Sequence, residues 1–124
     1  MSTVLIVEDN EKNMKLARDV LQAKGYRTLE AVTGEQGVQL AKEHRPDLVL
    51  IDIQLPGING IEAFRQIRAE ASTARIPVVA LTASVTPTDR SAINAAGFDA
   101  FLSKPINLKE FLDTVKRLIE TKGK

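Results

Sequence analysis

The sequence predicts an α/β fold in which a five-stranded parallel sheet carries helices on both faces. Short aliphatic runs alternate with amphipathic segments along the chain of 124 residues. Three of the aliphatic runs are almost continuous in Val, Ile and Leu, which is typical of strands covered on both faces. Regular alternation of strands and helices favours right-handed crossovers, and therefore one sheet between two helical layers.

Five segments have the composition of strands. They are rich in aliphatic residues, and they cover 4–8, 26–31, 47–52, 76–82 and 99–103. Pro77 is compatible with the fourth segment because it occupies one of its first positions, where proline is tolerated. A helical pattern follows each segment, so we expect five strand–helix units.

The first two predicted helices have recognisable ends. The first carries apolar residues at helical spacing over 14–21 and stops at Gly25. The second opens with Thr33 and Gln36, a pair that resembles a capping box, and it ends before Pro46.

The remaining three helices are predicted from similar signals. The third has apolar residues on one face over 61–67. Thr86–Pro87 has the pattern of an N-cap followed by proline in the first turn, and that helix should stop at Gly97. Asn107 with Glu110 caps the last helix, whose apolar residues form a single stripe.

The composition narrows the possible functions. Seventeen basic and sixteen acidic residues leave a net charge of +1, so a basic surface for nucleic acid is not expected. No cysteine is present, which excludes disulfides and thiolate metal sites. No apolar run reaches the roughly 20 residues that span a bilayer, and the N-terminus becomes polar too early for a signal peptide. We expect one cytoplasmic domain over residues 1–124, with no output domain and no membrane partner.

Polar side chains follow four of the predicted strands at the point where each strand ends. Glu8 and Asp9 follow the first strand, Asp52 ends the third, Thr82 ends the fourth, and Lys104 follows the fifth. In an open parallel sheet, ligands bind beyond the carboxyl ends of the strands. We therefore expect three carboxylates, a hydroxyl and an ammonium to meet at one edge.

This set of groups suits phosphoryl transfer. Clustered carboxylates repel one another, and a hard cation that takes oxygen ligands and several waters, such as Mg²⁺, relieves the repulsion. The metal and the Lys104 ammonium would neutralise phosphoryl oxygens, and the Thr82 hydroxyl can donate a hydrogen bond to one of them. Asp52 can then accept the group as an aspartyl phosphate, and the small Ala83 would leave space for it.

The same positions carry a resemblance to a known family. They are Glu8–Asp9, Asp52, Pro56, Gly60, Thr82–Ala83 and Lys104–Pro105. In this order the set resembles the receiver domains of two-component response regulators, the CheY-like family, and most of all stand-alone receivers of the DivK type. The resemblance covers essentially the whole chain, and it implies a flavodoxin-like (βα)5 sandwich with strand order 2-1-3-4-5.

The resemblance assigns the metal site and the phosphoacceptor. Asp52 would accept the phosphoryl group. Asp9 and Asp52 would be Mg²⁺ ligands together with the backbone carbonyl of Gln54, and Glu8 would act through a water molecule.

The resemblance also assigns groups for catalysis and switching. Thr82 and Lys104 would contact the phosphoryl oxygens, and the Lys104–Pro105 peptide would be cis. Thr82 and Phe101 would form the conformational switch, Phe101 standing where Tyr is also common.

The implied function is a phospho-acceptor switch and not a multiple-turnover enzyme, since it catalyses only its own phosphorylation and dephosphorylation. Its partners would be a sensor histidine kinase or histidine phosphotransferase and a downstream protein target, and we expect a monomer before phosphorylation. Helix one and the surface around Phe101, Asn107 and Lys109 are the candidate docking surfaces.

Two other functions use similar residues. A phosphohydrolase of the haloacid-dehalogenase type also follows an aliphatic strand with a nucleophilic Asp, but it needs an acid where this chain has Gln54. A flavodoxin-like cofactor site needs a phosphate-binding loop, and the EDN sequence after the first strand would repel a phosphate.

Taken singly, each candidate site residue has a structural explanation, such as a helix cap for Glu8 or a core position for Phe101. The convergence of these residues at one edge of the sheet favours the phospho-acceptor switch. We assign no chemistry to His44.

Overall fold

The structure is a computed structural model that describes residues 2–83 and 87–122. Its strands are β1 (Thr3–Val7), β2 (Arg27–Ala31), β3 (Leu48–Asp52), β4 (Val78–Thr82) and β5 (Ala100–Ser103). All neighbouring strands are parallel, in the order β2-β1-β3-β4-β5. The predicted fold class and strand order are confirmed, and each strand lies within two residues of its predicted bounds.

The helices alternate with the strands as predicted. They are α1 (Glu11–Ala23), α2 (Gly34–His44), α3 (Gly60–Ala69), α4 (Pro87–Ala96) and α5 (Leu108–Lys122). The side chains that cap α1, α2, α3 and α5 each accept a bond from the backbone N–H three residues on; they are Asn10, Thr33, Asn59 and Asn107. The predicted cap Thr86 lies outside the described residues.

The capping box at α2 differs from the predicted one in a single bond. Thr33 Oγ1 accepts from the Gln36 N–H at 3.1 Å, as the pattern requires. Gln36 Oε1, however, accepts from the N–H of Val32, one residue before the cap, at 2.9 Å. The return bond therefore ties the end of β2 to α2, and it satisfies a different backbone donor from the expected one.

The core has two parts, one on each face of the sheet. Alternate residues of the central strands pack on one side against α1 and α5, with Leu21, Phe111 and Val115 among the buried residues. On the other side they pack against α2 and α3, where Phe64 and Ile67 are buried. The sheet therefore lies between two helical layers, which explains the continuous aliphatic strands.

A polar network holds the N-terminal ends of β4 and β5 in place. The Asp99 carboxylate accepts from Arg68 Nη2 at 2.6 Å and from the Val78 N–H at 2.7 Å. The Arg68 guanidinium also donates to the Ile76 carbonyl and lies 4.8 Å from the centre of the Phe64 ring. The end of α3 and the starts of β4 and β5 are thereby joined.

Among the described residues, no helix has the length and apolar character that crossing a membrane requires.

We expect Asp99→Ala to lower the free energy of unfolding by about 1–3 kcal/mol, because it removes two hydrogen bonds to a charged acceptor. The midpoint of urea unfolding measures the change. Asp19→Ala is the matched control, since the Asp19 side chain is 48% exposed and its loss should shift the midpoint much less. Equal midpoints for the two variants would contradict the role given to Asp99.

Candidate functional site

The predicted polar residues meet at the carboxyl edge of the sheet. Glu8 follows β1, Asp52 ends β3 and Thr82 ends β4, and these three residues are buried, with exposed fractions of 1%, 5% and 1%. Lys104 follows β5 and reaches the same edge. The strand ends bring polar groups together because the strands are parallel and in register.

Lys104 joins two of the carboxylates. Its Nζ donates to Glu8 Oε1 at 2.6 Å and to Asp52 Oδ2 at 2.7 Å, and its own side chain is only 14% exposed. The preceding backbone is anchored, since the Lys104 N–H donates to the Thr82 carbonyl at 2.8 Å. The peptide bond between Lys104 and Pro105 is cis, as the resemblance implies. Sequence reasoning assigned Lys104 to phosphoryl oxygens and did not anticipate this bridge.

Two backbone donors hold the remaining carboxylate oxygens. The Gln54 N–H donates to Asp52 Oδ1 at 2.9 Å, and the Asn10 N–H donates to Glu8 Oε2 at 3.2 Å. All four oxygens of Glu8 and Asp52 therefore have a donor. The resemblance assigned only the carbonyl of Gln54. The signal for its N–H was Asp52 itself, because an aspartate side chain commonly accepts from the backbone N–H two residues on.

Asp9 completes a group of three carboxylates. One oxygen each from Glu8, Asp9 and Asp52 lie within 4.8 Å of one another, and Asp9 is exposed while the other two are buried. Such closely spaced, hard oxygen donors with one side open to water fit Mg²⁺, which keeps several waters in its coordination shell.

Burial raises the pKa of Glu8 from 4.5 to about 7, with a hydrogen bond to Asp52 as the second cause and the Lys104 ammonium acting in the opposite direction. For Lys104, burial lowers the pKa, but its bonds to Asp52 and Glu8 outweigh this and leave the pKa raised. The lysine is therefore charged at neutral pH, and the site carries a proton-binding carboxylate beside it.

The loop after Asp52 is held close to the strand end by a glycine. A Cβ at Gly60 would lie 2.3 Å from the Asp52 carbonyl oxygen and 2.8 Å from the Ile53 Cα. The Gly60 N–H donates to the Ile53 carbonyl at 3.0 Å. Only a residue without a side chain allows α3 to begin this close to the β3 end.

Phe101 lies on β5 opposite Ala80 of β4 and is half-buried. It stands three positions before Lys104. The same stretch of backbone therefore carries the predicted switch residue and the lysine that contacts Glu8 and Asp52. The roles of Thr82 and Phe101 as a switch stay predictions.

Residues 4–116 match the response regulator receiver domain family. The chain belongs to this family. The receiver domain is 45% identical over 114 residues to the polar-differentiation response regulator DivK of Brucella anthropi, covering 92% of this chain and 93% of that protein. The DivK protein of Brucella ovis is 44% identical over the same lengths. The predicted resemblance to receivers of the DivK type is confirmed.

Solved structures resemble the receiver domain in fold. The receiver domain of a sensor histidine kinase from Pseudomonas aeruginosa PAO1 has a TM-score of 0.90 at 35% identity, covers 96% of this chain and 98% of its own, and holds magnesium in its active-site cleft. A response regulator from Chloroflexus aurantiacus has a TM-score of 0.91 at 30% identity, with coverage of 96% and 98%. These comparisons favour two-component signalling over the phosphohydrolase and flavin alternatives.

We expect the free energy of unfolding of the metal-free protein to fall as the pH rises from 4.5 through about 7. The folded state holds the Glu8 proton more tightly than the unfolded chain, so this contribution is complete below pH 4.5 and lost above about pH 7. The slope from one such group is at most about 1.4 kcal/mol per pH unit.

Urea unfolding in the presence of a chelator measures this pH dependence, with Glu8→Gln as the control that cannot titrate. The difference in stability between the two proteins should change across that pH range. Parallel pH profiles would rule out a raised pKa at Glu8.

Proposed function

We propose that this receiver domain accepts a phosphoryl group on Asp52, next to a bound Mg²⁺, and that the modified domain regulates a partner protein. The observation that carries the proposal is the buried Asp52 carboxylate, which lies within 2.7 Å of the Lys104 ammonium and beside Glu8 and Asp9. Membership of the receiver family supports the phosphorelay context.

The donor is a phosphohistidine on a histidine kinase or a histidine phosphotransferase. An Asp52 carboxylate oxygen attacks the phosphorus, the phosphorus–nitrogen bond breaks, and the imidazole leaves with the bonding electron pair. Water later attacks the phosphorus, releases phosphate and returns the carboxylate. One chain handles one phosphoryl group at a time, so the domain is a switch that catalyses only its own phosphorylation and dephosphorylation.

The chain's own groups position and neutralise the transferred phosphoryl group. The Lys104 ammonium already contacts Asp52, so a short movement of its side chain brings it to a phosphoryl oxygen on the same aspartate. The buried Thr82 hydroxyl at the neighbouring strand end donates to another oxygen. Mg²⁺ held by Asp9, Asp52 and the Gln54 carbonyl, with Glu8 acting through water, would supply further positive charge.

The partners follow from the same chemistry. The phosphohistidine donor must reach the acidic edge, and α1 begins beside it, so α1 is the proposed dock for the kinase or phosphotransferase. The downstream target is a protein that binds the surface around Phe101. We propose a cytoplasmic location for these exchanges, in keeping with a cysteine-free chain of balanced charge.

Asp52→Asn should abolish labelling by acetyl phosphate in Mg²⁺, because the amide is not a nucleophile for phosphorus. Intact-mass spectrometry measures the fraction of labelled protein. Asp99→Asn is the matched control: it changes another aspartate to asparagine, away from the acidic edge, and it should still be labelled. Labelling of Asp52→Asn at the wild-type level would refute the phosphoacceptor assignment.

Lys104→Met should strengthen Mg²⁺ binding and slow phosphorylation. Removing the ammonium leaves the charges of Glu8 and Asp52 uncompensated, which we expect to raise Mg²⁺ affinity by about tenfold. Loss of one charged donor to the phosphoryl group should reduce the labelling rate by about a hundredfold.

Calorimetric titration with Mg²⁺ and the rate of labelling by acetyl phosphate measure these two effects. Lys12→Met, at an exposed position of α1, is the control and should match the wild type in both. A Lys104→Met protein with weaker Mg²⁺ binding would contradict the role of the ammonium as a competing charge.

The phosphorylated state should differ from the unmodified state at the surface around Phe101. A phosphoryl group adds about −1.5 to −2 charge beside Thr82, and we propose that Thr82 moves toward it and Phe101 turns inward. Amide NMR spectra with and without beryllofluoride and Mg²⁺ measure the extent of the change. Shifts limited to residues around Asp52 would argue against propagation to Phe101.

A further inference from the structure

An open groove lies between α5, the C-terminal end of α1 and the start of β2, and it has a volume of about 720 Å³. Tyr26, Leu112 and Ile119 line it and are half-buried, so part of its lining is apolar. Ser2 and Tyr26 precede β1 and β2, at the opposite end of the sheet from Asp52. The groove is therefore a separate feature from the acidic edge.

One wall of the groove is a stripe of alternating charge on α5. The stripe consists of Lys109, Asp113, Lys116 and Glu120, which line the groove and are exposed. Spacings of four, three and four residues place all of them on one helical face. We call this set the α5 charge stripe.

The four charged side chains of the stripe, all of which the structure describes, are not paired with one another within the chain. In the part of the chain that the structure describes, none of its four side chains forms an ion pair or a hydrogen bond. Pairs with lysine four residues before the acid, as at Lys109–Asp113 and Lys116–Glu120, are the weaker orientation on a helix. Burial, and after it the Glu120 carboxylate, raises the pKa of Tyr26, which agrees with Glu120 facing the groove.

We propose that a second copy of this chain covers the groove, with the two α5 helices antiparallel across a two-fold axis. Lys109 and Glu120 are equally far from the point between Thr114 and Val115, and so are Asp113 and Lys116. An antiparallel pair centred there puts Lys109 opposite the partner's Glu120 and Asp113 opposite the partner's Lys116. A two-fold axis repeats each contact, which is the geometry of most dimers.

The charge pattern selects this occupant over others. The stripe is complementary to its own reversed copy, whereas a parallel pair of α5 helices would put like charges opposite one another. A strongly acidic or basic partner would meet repulsion from half of the stripe. Exposed ion pairs contribute little each, so the dimer is weak, and it replaces the sequence-based expectation of a monomer only at high concentration.

Charge reversal with mutual rescue tests the pairing. Lys109→Glu and Glu120→Lys each turn two attractive contacts into repulsive ones, and each variant should dimerise about tenfold more weakly than the wild type. An equimolar mixture of the two variants restores both contacts in a heterodimer, so it should recover the wild-type association. The double variant Lys109→Glu/Glu120→Lys should recover it as well.

Sedimentation equilibrium of the unmodified protein, from about 10 µM to about 1 mM, covers the range in which a small interface associates. The controls are Lys12→Glu on α1 and Glu43→Lys on α2, which make the same charge changes at exposed positions outside the groove. They should dimerise like the wild type, and added salt should weaken every dimer.

Several results would overturn the proposal. The wild-type protein could stay monomeric over the whole concentration range. The charge-reversal variants could dimerise as strongly as the control variants, or the equimolar mixture could fail to recover association. Circular dichroism checks that each variant folds. If one does not, Asp113→Lys and Lys116→Asp provide the same rescue test at the inner pair of contacts.

Discussion

One ammonium between two buried carboxylates is the interaction on which the rest of the site depends. Glu8 and Asp52 lie at the ends of neighbouring strands, and two ionised carboxylates so close in a buried place repel each other strongly. Lys104 compensates part of that charge. Burial, and after it the hydrogen bond to Asp52, raises the pKa of Glu8 to about 7, so a proton can take up more of the charge. The unmodified site is therefore already short of positive charge, which is what a divalent cation provides.

The order of the strands determines which side chains can reach Asp52. Asp52 ends the middle strand, with β1 on one side and β4 on the other, so Glu8 and Thr82 reach it from adjacent positions. β5 lies beyond β4, so it is two strand spacings of about 4.8 Å each away from β3. A long side chain such as lysine spans that distance, whereas a shorter cation donor at position 104 would not.

The sequence was most informative where the signal is local. Aliphatic runs and cap residues predicted every strand and helix to within a few residues, and the polar residues at strand ends indicated the acidic edge. The Arg68–Asp99 bond and the Lys104–Glu8 bond join residues 31 and 96 positions apart. Such pairs leave no local pattern, because only the packed helices and strands bring them together.

The long separation between Glu8 and Lys104 bears on how the protein is made. In a chain still emerging from the ribosome, β1, β3 and the helices between them are synthesised before position 104. In that interval the two carboxylates have no ammonium, and the edge strand that carries it is absent. The ammonium that compensates Glu8 and Asp52 is therefore added only after the last strand has been synthesised.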